Sequence, residues 1–304
     1  MSALRHKKKV DDGMAFIAPS PDAIHPCVGI VGKGNLTYLY INGLRIDKTI
    51  QLTKNVALIP VRSRSNYRRT VREIPNEVAR SYFVLMEHNI NAQFRITSTS
   101  ALEECQNAFN AQWDALLLSA ILNCYAITNI QGDVAIERVA RFEQIRLTNS
   151  HLFGINGPSY KVCEQDCQWI SRHYELASRL MADARFQNAV HAMASYRWHT
   201  LPNVQLAILW AGIESLFDIR SELSFRLAVY IAKFLDGGNT NAAKNKYNEI
   251  KKLYSARSAA VHGSAIKVEV SDAVQQSAVV LQSLIRKCAE QGGLPNENDL
   301  LFGD

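Results

Sequence analysis

The pattern of apolar and polar positions predicts a mixed α and β first half. Between residues 28 and 61 it favours short strands, and Asn42-Gly43, between LTYLYI and LRIDKTIQL, predicts a β-hairpin because both residues tolerate positive φ. Pro75 begins a predicted helix, PNEVARSYFVLMEH, and NAQFRITST follows as a strand. The apolar segment from 101 to 128 predicts a long buried helix, and VARFEQIRLT alternates like another strand.

A helical pattern replaces this alternation after the Gly-Pro stretch at 154–158. We predict helices at about 163–184, 186–199, 203–219, 222–236, 241–262 and 271–290. The predicted fold class is α+β, with a mixed α and β domain over 1–155, an all-α helical bundle over 160–292 and a tail over 293–304.

Composition is that of a globular protein, with 47% hydrophobic and 20% charged residues among 304. The chain has no apolar run near the roughly 18 residues of a membrane span and no secretory signal, so we expect a cytoplasmic protein without membrane contact. The six cysteines are scattered, which favours reduced packing thiols. The sequence CEQDC lacks a second half at zinc-site spacing, so we expect no metal and no cofactor.

The net charge of +6 is modest, but arginines are concentrated in VRSRSNYRRTVRE. The members of this basic segment are Arg62, Arg64, Arg68, Arg69 and Arg72. Such a cluster around a tyrosine can neutralise phosphates and stack on bases. A solvated loop or helix face is the alternative interpretation.

The stretch LYSARSAAVHGS carries Arg257 and His262 on a predicted helix that ends before Gly263. Five positions correspond to about 140° of rotation, so the two side chains should diverge on one helix. The predicted buried stripe of this helix contains Ile250, Leu253, Tyr254 and Val261. Arg257 falls in the middle of this stripe, and Ser258 lies with His262 at its edge.

A guanidinium directed at apolar surroundings needs a partner, because Arg cannot lose its charge. Glu214 lies on the border of the apolar stripe of NVQLAILWAGIESLFD and is the predicted partner of Arg257. An ion pair that only fixes the fold is the structural alternative.

These segments resemble the Apea-like HEPN domain family. The resemblance covers about 160–290 and rests on LAILWAGIESLFD, SELSFRLAVYIAKFL and KNKYNEIKKLYSARSAAVHG, in that order. The family motif is R-x4-6-H with a polar residue after the Arg, which matches Arg257, Ser258 and His262. Ser258 stands where Asn or Asp is commoner. The resemblance implies a helical bundle that forms a homodimer, so that two motifs face each other, and that cuts RNA without a metal.

The implied chemistry is attack of a ribose 2′-OH on the adjacent phosphate. His262 suits proton transfer near neutral pH, and Arg257 suits the developing charge on phosphate. Ser258 orients the imidazole or donates to phosphate, and Glu214 holds the guanidinium. The expected product carries a 2′,3′-cyclic phosphate, and DNA should resist.

We therefore expect an endoribonuclease of microbial defence or toxin type, whose N-terminal domain supplies RNA recognition, regulation or partner binding. One alternative is a HEPN module that binds a nucleotide or a regulatory protein and cuts nothing. Another is a nucleic-acid sensor centred on the basic segment.

Overall fold

The computed structural model describes residues 15–17, 30–63, 71–73, 77–148, 159–217, 219, 223–262 and 269–302. The chain forms two units, one of residues 1–115 with 126–163 and one of 116–125 with 164–304. The sequence placed the boundary at 155–160 and separated a tail at 293. In the structure, 116–125 and the predicted tail both belong to the second unit.

The first unit is built around an antiparallel sheet of six strands in the order β5-β6-β7-β3-β8-β9. The strands of the first unit, including those outside this sheet, are β1 (Ala15–Ile17), β2 (Ile30–Gly32), β3 (Leu36–Asn42), β4 (Leu44–Arg45), β5 (Ile50–Gln51), β6 (Val56–Pro60), β7 (Ile90–Thr97), β8 (Ile127–Gly132), β9 (Ile145–Leu147) and β10 (Tyr160–Lys161). Two helices accompany them, α1 (Glu77–Glu87) and the first part of α2 (Ala101–Leu122), whose residues from Leu116 belong to the second unit.

Side chains alternate across the central strand β3, as the period of two requires. Tyr38 and Tyr40 pack with Phe83 and Met86 of α1 on one face. Leu39, on the other face, is fully buried. A core therefore lies on both sides of β3.

The predicted hairpin at Asn42-Gly43 is wrong. Gly43 has a positive φ of 86° and turns the chain, but both edges of β3 are occupied by β7 and β8. Strand β4 instead pairs in parallel with β10, Leu44 opposite Tyr160. Turn chemistry predicted the bend correctly, and non-local pairing decided where the next strand went.

Two further predictions in this unit are corrected. The helix predicted for 101–128 ends at Leu122, and the residues from Ile127 form β8. Within VARFEQIRLT, Phe142–Gln144 is a short 3-10 turn and only Ile145–Leu147 is a strand, and another 3-10 turn, Ile136–Arg138, precedes the segment. Alternation alone did not distinguish strand from turn in this segment.

The second unit is helical, which confirms the α+β class. Its helices are α3 (Glu164–Leu180), α4 (Ala184–Ser195), α5 (Pro202–Leu216), α6 (Leu223–Asp236), α7 (Thr240–His262), α8 (Val270–Gln291) and α9 (Glu297–Phe302). The first six agree closely with the predicted helices. None of the described helices combines the length and apolarity needed to cross a bilayer.

Helix α5 is central, because it packs against α4, α7 and α8. A Cβ on Gly212 would lie 2.6 Å from the Cβ of Ala192, so only glycine allows this approach of α4 and α5. Trp210 is fully buried and its Nε1 donates to the Ser277 Oγ of α8 at 3.0 Å. These contacts fix the helix that carries Glu214.

Candidate functional site

Helix α7 buries a different face from the one predicted. Its most buried residues are Ile250, Leu253, Ala256 and Ala260. Val261, predicted to be buried, is 48% exposed. The prediction gave weight to large apolar residues, and counting the alanines rotates the buried face by about 60°. Arg257 therefore lies at the border of the core and not in the middle of the stripe.

The predicted contact between Arg257 and Glu214 is present. Their Nη2 and Oε1 atoms are 3.3 Å apart, and the two side chains are 23% and 24% exposed. Helices α5 and α7 pack directly against each other, which brings the two residues together. The pair is thus partly accessible from solvent.

The geometry of this ion pair leaves hydrogen-bonding capacity unused. Arg257 Nε and Glu214 Oε1 are both enclosed, and neither has a hydrogen-bond partner among the described residues. Burial raises the pKa of Glu214 above its ordinary value, and the nearby Arg257 lowers it by less. A buried polar atom without a partner costs free energy, so this pair is not an optimised structural ion pair.

Tyr254 supports the guanidinium from the same helix. The Arg257 Cζ lies 5.7 Å from the centroid of the Tyr254 ring. The ring meets Trp210 edge to face, with centroids 5.2 Å apart. Sequence reasoning treated Tyr254 as a core residue, but it is only half-buried. The i, i+3 spacing to Arg257 was the signal for this contact.

The other two motif residues follow on α7. Ser258 is half-buried, and His262 is the last residue of the helix. The His262 side chain and the whole of 263–268 lie outside the described residues. The structure therefore fixes the position of the His262 backbone, and the role of its imidazole stays a prediction.

The basic segment is described only at its ends. Arg62 and Arg72 are exposed, and the Arg62 backbone N–H donates to Glu137 Oε1 at 3.0 Å. Arg64, Arg68 and Arg69 lie outside the described residues. RNA binding by this segment remains a prediction.

Other candidate residues take ordinary packing roles. The His173 ring lies 5.3 Å from that of Trp169, and His191 meets Trp198 edge to face, with a pKa lowered by burial. Burial raises the pKa of the Cys124 thiol to about 12. No group of three or more His, Cys, Asp or Glu side chains suited to a metal occurs within the described ranges.

The outer face of α5 is apolar next to this site. Val204 is 36% exposed, Ala211 is exposed, and Ala207 and Ile208 are half-buried. Leu201, just before the helix, is 64% exposed. A surface helix normally carries polar residues on its outer face, so this α5 surface has the composition of a contact surface.

Comparisons with protein-family models, curated proteins and solved structures found no match to this chain. The HEPN resemblance therefore rests on the motif and the order of the helices alone.

Proposed function

We propose that this protein is a metal-independent endoribonuclease of HEPN type, acting in the cytoplasm in microbial defence or as a toxin. The observation that carries the proposal is the partly exposed Arg257–Glu214 pair, with Nη2 and Oε1 3.3 Å apart, whose arginine lies on the helix that ends at His262. A partly exposed cation at the border of the core is suited to a phosphate ligand.

In the proposed reaction, Arg257 binds the scissile phosphodiester and stabilises the charge that develops on its oxygens. His262 takes the proton from the 2′-OH, which attacks phosphorus; the bond to the 5′-oxygen of the next nucleotide breaks, and that oxygen takes a proton from water, to which the imidazolium returns its own. The products are a 2′,3′-cyclic phosphate and a 5′-OH. Ser258 orients the imidazole or donates to phosphate.

A homodimer completes the proposed site. Arg257 and His262 are five positions apart on α7, about 140° around the helix, so residues from two copies converge more readily than those of one. The apolar outer face of α5 supports this arrangement, because a second copy would cover Val204 and Ala211.

The first unit supplies RNA recognition or regulation in this proposal, and the exposed Arg62 and Arg72 are suited to the RNA backbone. A second candidate function is an adaptor that binds a nucleotide or a regulatory protein without cutting. The apolar face of α5 favours it as well, since a contact surface does not require catalysis.

Incubation with labelled single-stranded RNA in excess EDTA tests the proposal. The wild-type protein should cut RNA and leave a cyclic phosphate, whereas DNA of the same sequence should remain intact. The His262→Ala variant, shown to be folded, should not cut. Tight RNA or partner binding without cutting by the wild type would favour the adaptor.

A further inference from the structure

The Arg257–Glu214 pair is in contact but weakly bonded. Its closest charged atoms are 3.3 Å apart, yet within the described part of the chain Glu214 Oε1 and Arg257 Nε have no hydrogen-bond partner. An ion pair selected only for stability gains most from directional hydrogen bonds, and Arg offers a planar fork for two of them. The contact therefore leaves the guanidinium available to a better-placed anion.

Arg257 also has support that does not depend on Glu214. The Tyr254 ring lies 5.7 Å from its Cζ, and Trp210 holds that ring edge to face at 5.2 Å. The Arg257 side chain is 23% exposed, so an anion can reach it from solvent. The guanidinium can thus leave the carboxylate while it keeps its aromatic contact.

We propose that Glu214 is a resting-state anion that holds Arg257 until a phosphodiester oxygen of RNA replaces it. The inference rests on the proposed function and deepens it, because it adds a regulatory contact at the same site. No covalent bond changes in the exchange. Burial raises the pKa of Glu214 because desolvation outweighs the opposing effect of Arg257, so the carboxylate is not strongly held as the partner of this guanidinium.

The exchange and a simple positioning role for Glu214 predict opposite effects of its removal on phosphate binding. If Glu214 only holds the guanidinium in place, its removal should weaken phosphate binding. If Glu214 competes with phosphate, its removal should strengthen binding, because the ligand no longer has to displace a neighbouring anion.

The test measures binding of a labelled 2′-O-methyl single-stranded RNA to the full chain by fluorescence anisotropy. This probe lacks the nucleophile, so affinity can be measured whether or not the protein cuts. We expect Glu214→Gln to lower the Kd about tenfold, equivalent to about 1.4 kcal/mol. Glu249→Gln is the matched control, because it removes one carboxylate from α7, where Glu249 pairs with Lys246 at 2.8 Å. Its Kd should stay within about twofold of wild type.

Three results overturn the inference. Unchanged or weaker binding by Glu214→Gln, with wild-type protein that cuts unmodified RNA, rejects the exchange and leaves the proposed function standing. If Glu214→Gln and Glu249→Gln lower the Kd equally, the tighter binding comes from the change in net charge and not from the loss of Glu214 beside Arg257. Absence of both binding and cutting in the wild type rejects the function and the exchange together.

A second pair of variants covers the case in which Glu214→Gln does not fold. Tyr254→Phe keeps the ring beside the guanidinium and should retain wild-type affinity. Tyr254→Leu removes the ring and should weaken binding several-fold, since the released Arg257 loses its remaining support. Equal affinity of these two variants would contradict the proposed path of exchange.

Discussion

Replacement of Arg257 by Ala should destabilise the second unit as well as abolish cleavage. The change leaves Glu214 partly buried, with its enclosed Oε1 facing no cation. Removal of one partner from a fully buried pair costs about 3–5 kcal/mol. Since both side chains are about a quarter exposed, solvent reduces that penalty, and we expect a loss of about 2 kcal/mol.

The double variant isolates the stranded charge. Glu214→Gln combined with Arg257→Ala should cost about 1 kcal/mol, less than the single Arg257→Ala, because no unpaired carboxylate remains. Arg257→Lys keeps the charge and should recover about half of the lost stability. It should restore little cleavage, because an ammonium cannot make the two-pronged contact with phosphate.

Urea unfolding followed by tryptophan fluorescence suits this measurement. Three of the four tryptophans, Trp169, Trp198 and Trp210, belong to the second unit, so the signal reports mainly on the helices around Arg257. RNA cleavage is measured on the same samples. Wild-type stability of Arg257→Ala, or a double variant less stable than the single one, would refute the reasoning about the pair.

Other predictions concern separate groups. His262→Ala should abolish cleavage while it changes the free energy of unfolding by less than about 1 kcal/mol, and cleavage that only tracks loss of folding would contradict its catalytic role. Burial raises the pKa of Glu214 in the folded state above its unfolded value, so the native state binds this proton more readily. Urea titrations should therefore show the wild type gaining stability relative to Glu214→Gln as the pH falls from neutral, through the pKa of Glu214 in the folded state, towards its pKa in the unfolded state. A loss of stability relative to this variant over the same pH range would contradict the direction of the pKa shift. Cys163 is exposed, so Cys163→Ser should remove a fast phase of thiol labelling by a disulfide reagent and leave the slow reaction of the buried thiols unchanged.

The helices of the second unit could be predicted from sequence because each is defined by local information. The helical signals are local. Apolar residues recur with a period of 3.6, Pro202 marks the start of α5, and Gly292, with a φ of 68°, marks the end of α8. The Arg257–Glu214 contact was also predictable, because a guanidinium placed on the apolar stripe of one helix needs a partner and Glu214 borders the stripe of a neighbouring helix.

The strands of the first unit depend on partners far along the chain, which periodicity does not contain. Leu44 pairs with Tyr160, so the Asn42-Gly43 turn does not join two neighbouring strands. In α7 the error was one of size, because Ala256 and Ala260 are small but define the buried face. The half-buried position of Tyr254, which leaves its ring beside Arg257 and not in the core, follows from that rotation and was missed for the same reason.

The second unit contains other arginines against which the fold-fixing alternative for Arg257 can be judged. Arg286 is hydrogen-bonded to Asp166 at 3.4 Å and lies 4.6 Å from the centroid of the Trp169 ring. Arg197 donates to the Asn123 carbonyl at 2.8 Å and lies 4.6 Å from the centroid of the Tyr196 ring.

Each of these two arginines has both a directional hydrogen bond and a close ring contact, which is what stability alone favours. Arg257 lies farther from its ring, at 5.7 Å, and its Nε has no partner among the described residues, which is also true of the Arg197 Nη1. The same bundle thus forms arginines with a hydrogen bond and a shorter ring contact elsewhere. The longer ring contact of Arg257 and the unbonded Oε1 of its carboxylate partner favour a guanidinium kept for an external anion over one that only fixes the fold.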